Sequence, residues 1–540
     1  MKEIRGRIVD IHNREIYNGV IYISEGKIKK IERKPVSETH YIIPGFIDAH
    51  VHMESSMLTP ANFGRMVVQH GTIAVVSDPH EIANVTGTEG LRFMIEDIKQ
   101  SPISCFLTIP SCVPATPFDC AGATISASDV QELAATGEFV ALSEMMNVPG
   151  VLNQDPEVMQ KIKIAKDYGI PIDGHAPLLS GETLKTYINT GISTDHESSL
   201  LEEAKEKLDL GMYVLIRQGS AARNYDALKS LIRTNPNMVM FCTDDSHPDE
   251  LEQDGHIDKL VRQAIADGYD LFDVLRIASV NVAKHYHLPV GLLRPGDMAD
   301  FLIVEDLKKF QVEATYIKGN KEYDRQKGVT ATAPLYNKTE IINNFNHELI
   351  SEAELIKPVT GTITAIGIEK DELITTPFFY TPVKPYENLE SDIDNDLLKI
   401  VYINRYHNGQ PQVAYIHGFG MKQGAFASSV GHDSHNIVAT GCSDADIVKA
   451  VNAIIQSKGS LSVVEGNKVQ SLPLPLGGII STQDGAQVTK KYLHLKELLK
   501  ICGCQLSDPF MTLSFMSLVV IPEIKIGEHG LFSYDKFYWL

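Results

Sequence analysis

The chain has 540 residues, 43% hydrophobic and 22% charged, a globular composition on a chain too long for one compact core. Its net charge of −20 disfavours a polyanionic partner, because nucleic-acid binding draws on basic patches. No apolar run approaches the roughly 20 residues that span a bilayer; Met1-Lys2-Glu3-Ile4-Arg5 opens no signal peptide, and seven scattered cysteines form no paired framework. The expectation is a cytoplasmic protein with reduced thiols and neither nucleic acid nor membrane as partner.

Residues 1–43 read as strands, with a hairpin turning at Glu25-Gly26 between Ile21-Tyr22-Ile23 and Lys27-Ile28-Lys29. This segment is too small to hold a core alone. Pro44-Gly45 then marks a turn, and Phe46-Ile47-Asp48-Ala49-His50-Val51-His52 reads as a short buried strand. Strand side chains alternate, so His50 and His52 share a face. Two imidazoles side by side make half of a metal site, or a hydrogen-bonded pair.

From 44 to about 284, strand and helix patterns alternate. Eight strand candidates fall at 46–52, 73–78, 105–110, 139–144, 171–175, 193–196, 213–218 and 239–244. Asp155-Pro156-Glu157 starts one helix and Gly169 stops it. Others run from about Asn224 to Arg233 and from Tyr269-Asp270 through Ala283. Eight strands with alternating helices predict a (β/α)8 barrel, whose active site lies at the C-terminal strand ends. Glu144, His175, His196 and Asp244 join the two histidines at such ends. Taken singly, Asp244 could cap its loop and His196 could be a satisfied core histidine; all six idle together is a poor account of the pattern. His80 and Glu81 follow the second strand and face the pocket in this reading, although Asp78-Pro79 also suits a tight loop. Ser111-Cys112 and Arg217-Gln218-Gly219-Ser220 follow the third and seventh strands; Arg217 fits either a substrate contact or an ion pair.

Residues 285–345 return to strands, with Gly291 to Gly296 turning into Phe301-Leu302-Ile303-Val304. Residues 346–540 predict an α+β domain: neighbouring strands at 398–403 and 413–416, and a helix capped by Ser443 and ended at Gly459. Within it, Gly431-His432-Asp433-Ser434-His435-Asn436 is dense in polar groups, either a surface turn or a loop reaching over the barrel mouth.

Pro44-Gly45-Phe46-Ile47-Asp48-Ala49-His50-Val51-His52 resembles the first barrel strand of the metal-dependent amidohydrolases. Over essentially its whole length the chain resembles the bacterial adenine deaminases within that superfamily, including Pro79-His80-Glu81 and the 431–436 motif. The resemblance implies an α/β fold in three parts: a β-sandwich from 1–43 and 285–345, a (β/α)8 barrel over 44–284, and a C-terminal α+β domain, 346–540, covering the active site. It also implies that His50, His52 and Asp244 hold one metal and His175 and His196 a second. A carboxylate bridges the two; many relatives use a carbamylated lysine there, but 139–147 contains none and Glu144 stands at the strand end. Mixed imidazole and carboxylate ligation suits Zn, Fe or Mn, and the resemblance favours Mn or Fe.

The implied reaction is hydrolytic deamination of adenine to hypoxanthine and ammonia, with a metal-bridged hydroxide attacking C6. Asp244, His80 and Glu81 are the candidate catalytic groups, and Arg217, His432, Asp433 and His435 the candidate substrate contacts. A homo-oligomer is expected. The rival enzyme reading is a cyclic-amide hydrolase, disfavoured by the missing lysine and the long C-terminal region. A metal-free scaffold is disfavoured by the intact ligand set.

Overall fold

The computed structural model describes residues 1–540 apart from 221, 333, 335, 337–341, 370–372 and 537. Its centre is the expected barrel. Phe46–Val51, Thr72–Ser77, Ser104–Ile109, Phe139–Met145 and Ile172–Gly174 pair in parallel in that order, as do Thr194–Asp195, Tyr213–Arg217 and Val239–Cys242. Every residue of the first and second strands is buried, as parallel strands covered on both faces require. Single bridges join the two sets: Ile172 to Ile192, and Val51 to Asp244.

The second bridge closes the ring. Asp244 N–H donates to the His50 carbonyl at 3.0 Å, and His52 N–H donates to the Asp244 carbonyl at 3.2 Å. Asp244 has a φ of 58°, a left-handed conformation uncommon for a residue with a side chain. The buried Asp48 carboxylate reinforces the closure by accepting from Thr243 Oγ1 at 2.5 Å and lying 2.9 Å from His256 Nε2.

Outer helices follow local capping chemistry. Asp155 accepts from Glu157 N–H and Val158 N–H, Pro156 occupies the first turn, and Gly169 ends Pro156–Tyr168 with a φ of 68°. The helix expected over 224–233 is instead two short ones, Tyr225–Leu228 and Leu231–Thr234. Asn224 does not cap the first. Its side chain accepts from Arg217 N–H at 2.7 Å and donates to the His196 and Ser198 carbonyls, tying the ends of the sixth and seventh strands.

The N-terminal strands find their partner after the barrel. Tyr41–Pro44 pairs with Lys2–Asp10 on one side and Phe301–Val304 on the other, in one eight-stranded path. That path curls on itself: Lys27 bridges to Met298, and Ile21, Ile23 and Ile28 share a core with Phe301 and Tyr316. In the C-terminal region, Leu397–Ile403 lies between Gln412–His417 and Ile437–Gly441, backed by helix Asp444–Ser457. Ser443 caps this helix as expected, but the left-handed turn at its end begins at Lys458, one residue before Gly459. No helix among the described residues is long and apolar enough to cross a membrane.

One buried cation links the fold to the barrel mouth. Lys207 Nζ donates to Asp195 Oδ2 at 2.9 Å, Glu203 Oε1 at 2.8 Å, Ser198 Oγ at 3.1 Å and the Ala176 carbonyl at 2.7 Å. Asp195 precedes His196 and Ala176 follows His175, so the lysine fixes both turns. Burial opposes ionisation of Asp195, but Lys207 outweighs it and holds the carboxyl below its usual range. Lys207→Ala would leave two acids buried without their cation; a loss of roughly 3–5 kcal/mol is expected, read as a lowered thermal midpoint against wild type.

Candidate active site

Six side chains from five strand ends meet at the mouth of the barrel. Because His50 and His52 alternate with Val51, both point inward, with their Nε2 atoms 3.2 Å apart. His52 Nδ1 lies 3.0 Å from the Asp78 carbonyl; donating there leaves Nε2 as the free lone pair, the arrangement that orients a ligating histidine. Asp244 Oδ1 lies 3.1 Å from His52 Nε2 and 3.6 Å from His50 Nε2. Glu144 faces both ways: Oε1 is 3.3 Å from His52 Nε2, while Oε2 is 2.7 Å from His175 Nδ1 and 3.2 Å from His196 Nε2. Ser111 Oγ donates to the Glu144 carbonyl at 2.6 Å, steadying that strand end from outside the cavity.

The 431–436 segment connects antiparallel neighbours Ala425–Ser428 and Ile437–Gly441 and packs against the barrel mouth. His432 Nδ1 is 2.6 Å from Glu81 Oε1, and His435 Nε2 contacts Glu81 Oε2. His432 stacks on Phe515, ring centroids 4.5 Å apart. His80, Glu81, His432 and Asp433 line the same cavity as His52, Glu144, His175, His196 and Asp244; His435 stands behind it, against Glu81. A wider cavity shares Glu197, Arg217 and Leu373 with this one and opens beside it.

Residues 41–321 match the Amidohydrolase family, and residues 372–538 match the Adenine deaminase C-terminal domain. The chain is 48% identical to an adenine deaminase of Methanosarcina acetivorans, over 99% of this chain and 98% of that protein. It is 46% identical to one from Sulfurovum sp., over 100% and 99%, and 42% identical to one from Borreliella burgdorferi, over 99% and 98%. The chain belongs to the adenine deaminase family of the amidohydrolases.

That membership implies use of divalent metal, and the donors present fit it. Ligand atoms of His50, His52 and Asp244 lie within 4.8 Å of one another, as do those of His50, Glu144 and His196, of His175, His196 and Glu197, and of His52, Asp78, His80 and Glu144. Asp433 Oδ2 is buried without a hydrogen-bond partner, an arrangement that is costly unless another group satisfies it.

Charge is distributed unevenly across this adenine deaminase-family site. Burial alone would raise Glu144, but His175 and His196 outweigh it and hold the carboxylate well below its usual range. Arg217, then His50 and His52, do the same for Asp244 against burial. Glu81 is likewise held low despite burial, by His432, His435 and His80. Asp433 goes the other way: burial lifts it to about 7, with His80 opposing. Against burial, Glu81 raises His432 to about 9, whereas burial takes His435 down to about 4. The two histidines on one glutamate are thus shifted in opposite directions.

Arg217 lines the cavity but is committed to acids. Its Nη1 donates to Asp244 Oδ2 at 2.5 Å and pairs with Glu197, so the ion-pair alternative describes its contacts. Glu197 itself escaped sequence reasoning. It lies 3.4 Å from His196 Nε2 and lines both cavities. The signal was present, since His196-Glu197 repeats the strand-end pairing of His80-Glu81. Asp78, read only as a loop residue, lies 3.1 Å from His80 Nδ1.

The separation of the two histidine sets by Glu144 predicts that each can be emptied of metal independently. His50→Ala and His175→Ala are each expected to lower the transition metal held per chain, by elemental analysis of the purified protein. Full metal content in both variants would overturn the assignment.

Proposed function

We propose that this chain hydrolyses adenine to hypoxanthine and ammonia, the activity for which its full-length relatives are named. The observation that carries the reading is Glu144, shared between His50/His52 and His175/His196 in a cavity that His432 and Asp433 help to enclose. A metal pair suits this donor set: His50, His52 and Asp244 would hold one ion, His175 and His196 the other, and Glu144 both, with Mn or Fe preferred to Zn.

When bound, divalent metal lowers the pKa of coordinated water to about 7 and so makes a hydroxide nucleophile available at neutral pH. Asp244 Oδ1 faces the strand-one histidines and takes the proton that the attacking water loses. The C6–O bond forms as the ring π electrons move to N1. Glu81, between His432 and His435, is the route by which a proton reaches N1. Asp244 passes the proton it took to the exocyclic nitrogen, the C6–N bond breaks and ammonia leaves, and the C6 hydroxyl returns a proton by way of Glu81 to give hypoxanthine. His80, between Asp78 and Glu81, orients that acid. In this division of labour the barrel, 44–284, carries the chemistry, the strands of 1–43 and 285–345 brace it, and 346–540 covers it.

Water exclusion is the task of the cover, because electrostatic contacts strengthen as solvent leaves. Asp433→Ala is therefore expected to reduce kcat/KM for adenine while metal content stays at the wild-type value; loss of metal with activity would return the residue to a structural role. Asp244→Asn keeps the shape and removes the basic oxygen. Turnover should fall by roughly 10²–10⁴-fold, as for a lost general base, with metal content falling less. The reading as a whole is tested on Mn-loaded full-length protein by ammonia release from adenine and, in parallel, by ring opening of dihydroorotate and hydantoin, which frees no ammonia. Release from adenine alone is expected. Turnover of the cyclic amides without adenine would replace this reading with the amide-hydrolase one.

A further inference from the structure

Far along the chain from one another, and outside the catalytic cavity, Cys120, His407 and Glu528 converge. Cys120 lies in the loop after the third barrel strand, His407 in the loop between Leu397–Ile403 and Gln412–His417, and Glu528 in the turn between Ile524–Gly527 and Gly530–Ser533. One ligand atom from each, a thiol sulfur, an imidazole nitrogen and a carboxylate oxygen, lies within 4.8 Å of the other two. His407 Nε2 and Glu528 Oε1 are 3.9 Å apart, too far for a hydrogen bond. Around a tetrahedral zinc ion, with bonds of 2.0–2.3 Å, neighbouring ligand atoms stand roughly 3.3–3.8 Å apart. A small contraction of this triangle therefore meets the requirement.

We propose that Cys120, His407 and Glu528 bind a divalent transition-metal ion of the zinc class, distinct from the catalytic metals, with water completing the coordination. The chemistry of the set favours this class over calcium or magnesium, which take oxygen ligands. The surrounding hydrogen bonds already orient the ligands. Asn404 Nδ2 donates to Glu528 Oε2 at 2.9 Å, leaving Oε1 towards His407, while Asn404 Oδ1 accepts from His407 N–H at 3.3 Å. Asn436 Nδ2 donates to the Cys120 carbonyl at 2.8 Å. Such outer contacts are what fix ligating side chains before an ion arrives. Phe118, two residues before Cys120, packs on Phe532 and Trp539 with centroids 5.4 and 6.5 Å away, which holds the barrel loop against the C-terminal hairpin. Without a cation, burial and the neighbouring Glu528 push the Cys120 thiol above its ordinary pKa. A bound ion reverses that preference by stabilising the thiolate. His407 is exposed and the other two are partly so, leaving an entry path for the ion.

The consequence is a staple between a barrel loop and the sheet that carries the 431–436 segment. Cobalt(II) titration of the full-length protein tests it. None of the assigned catalytic ligands carries sulfur, so a sulfur-to-cobalt charge-transfer band in the near ultraviolet reports a thiolate site elsewhere. The band is expected in wild type, absent in Cys120→Ser and reduced in His407→Ala. Elemental analysis after zinc loading should find one equivalent per chain fewer in Cys120→Ser, with adenine turnover retained. A wild-type protein without the band, a band that survives Cys120→Ser, or equal zinc in the two proteins would each overturn the proposal. The spectral readout stands whether or not adenine is the substrate.

Discussion

The closure of the barrel and the geometry of the candidate metal site rest on the same two hydrogen bonds. Asp244 exchanges backbone contacts with His50 and His52, and its side chain turns back toward the same two imidazoles. The left-handed backbone at Asp244 is what permits both: the chain ends its strand there and aims the carboxylate inward. The Asp48 latch beneath secures that junction from the core side, by way of Thr243 and His256. A barrel that opened at this seam would lose part of its ligand set at once.

Much of this was legible because each strand carries its own signal. Period-two alternation fixed the shared direction of His50 and His52, and strand ends located Glu144, His175, His196 and Asp244 without knowledge of their neighbours. The Asp155-Pro156 start and Gly169 stop are similarly local. Less legible were features that depend on distant partners. Asn224 looked like part of a helix because nothing nearby reveals that its amide is occupied by Arg217, His196 and Ser198. Glu197 was passed over for the same reason, since Arg217 and His175 reach it from other strands, whereas the partner of Asp78, His80, stands only two residues away. The N-terminal strands announced their need for a partner, whereas their joining with the post-barrel strands in one curled path is a matter of tertiary register.

The C-terminal region adds more than a wall. Glu81 lies on a barrel helix, but the groups that hold it below the usual carboxylate range include His432 and His435, which a different sheet supplies. Phe515 sets the plane of His432 by stacking, and the Ser514 carbonyl accepts from His432 N–H at 3.0 Å. His247, just beyond Asp244, is held in turn by Tyr492 and Asp508 of the C-terminal region, at 2.6 and 3.0 Å. Electrostatics at the mouth are therefore shared between parts of the chain that are remote in sequence.

That sharing has a meaning for biosynthesis. A ribosome adds roughly 5–20 residues per second, so Asp244 is polymerised roughly ten to forty seconds before His432. Throughout that interval the emerging polypeptide carries all six candidate ligands of the barrel while Glu81 lacks its later partners His432 and His435. Completion of the last third is what brings Glu81 the two histidines that help to hold it ionised.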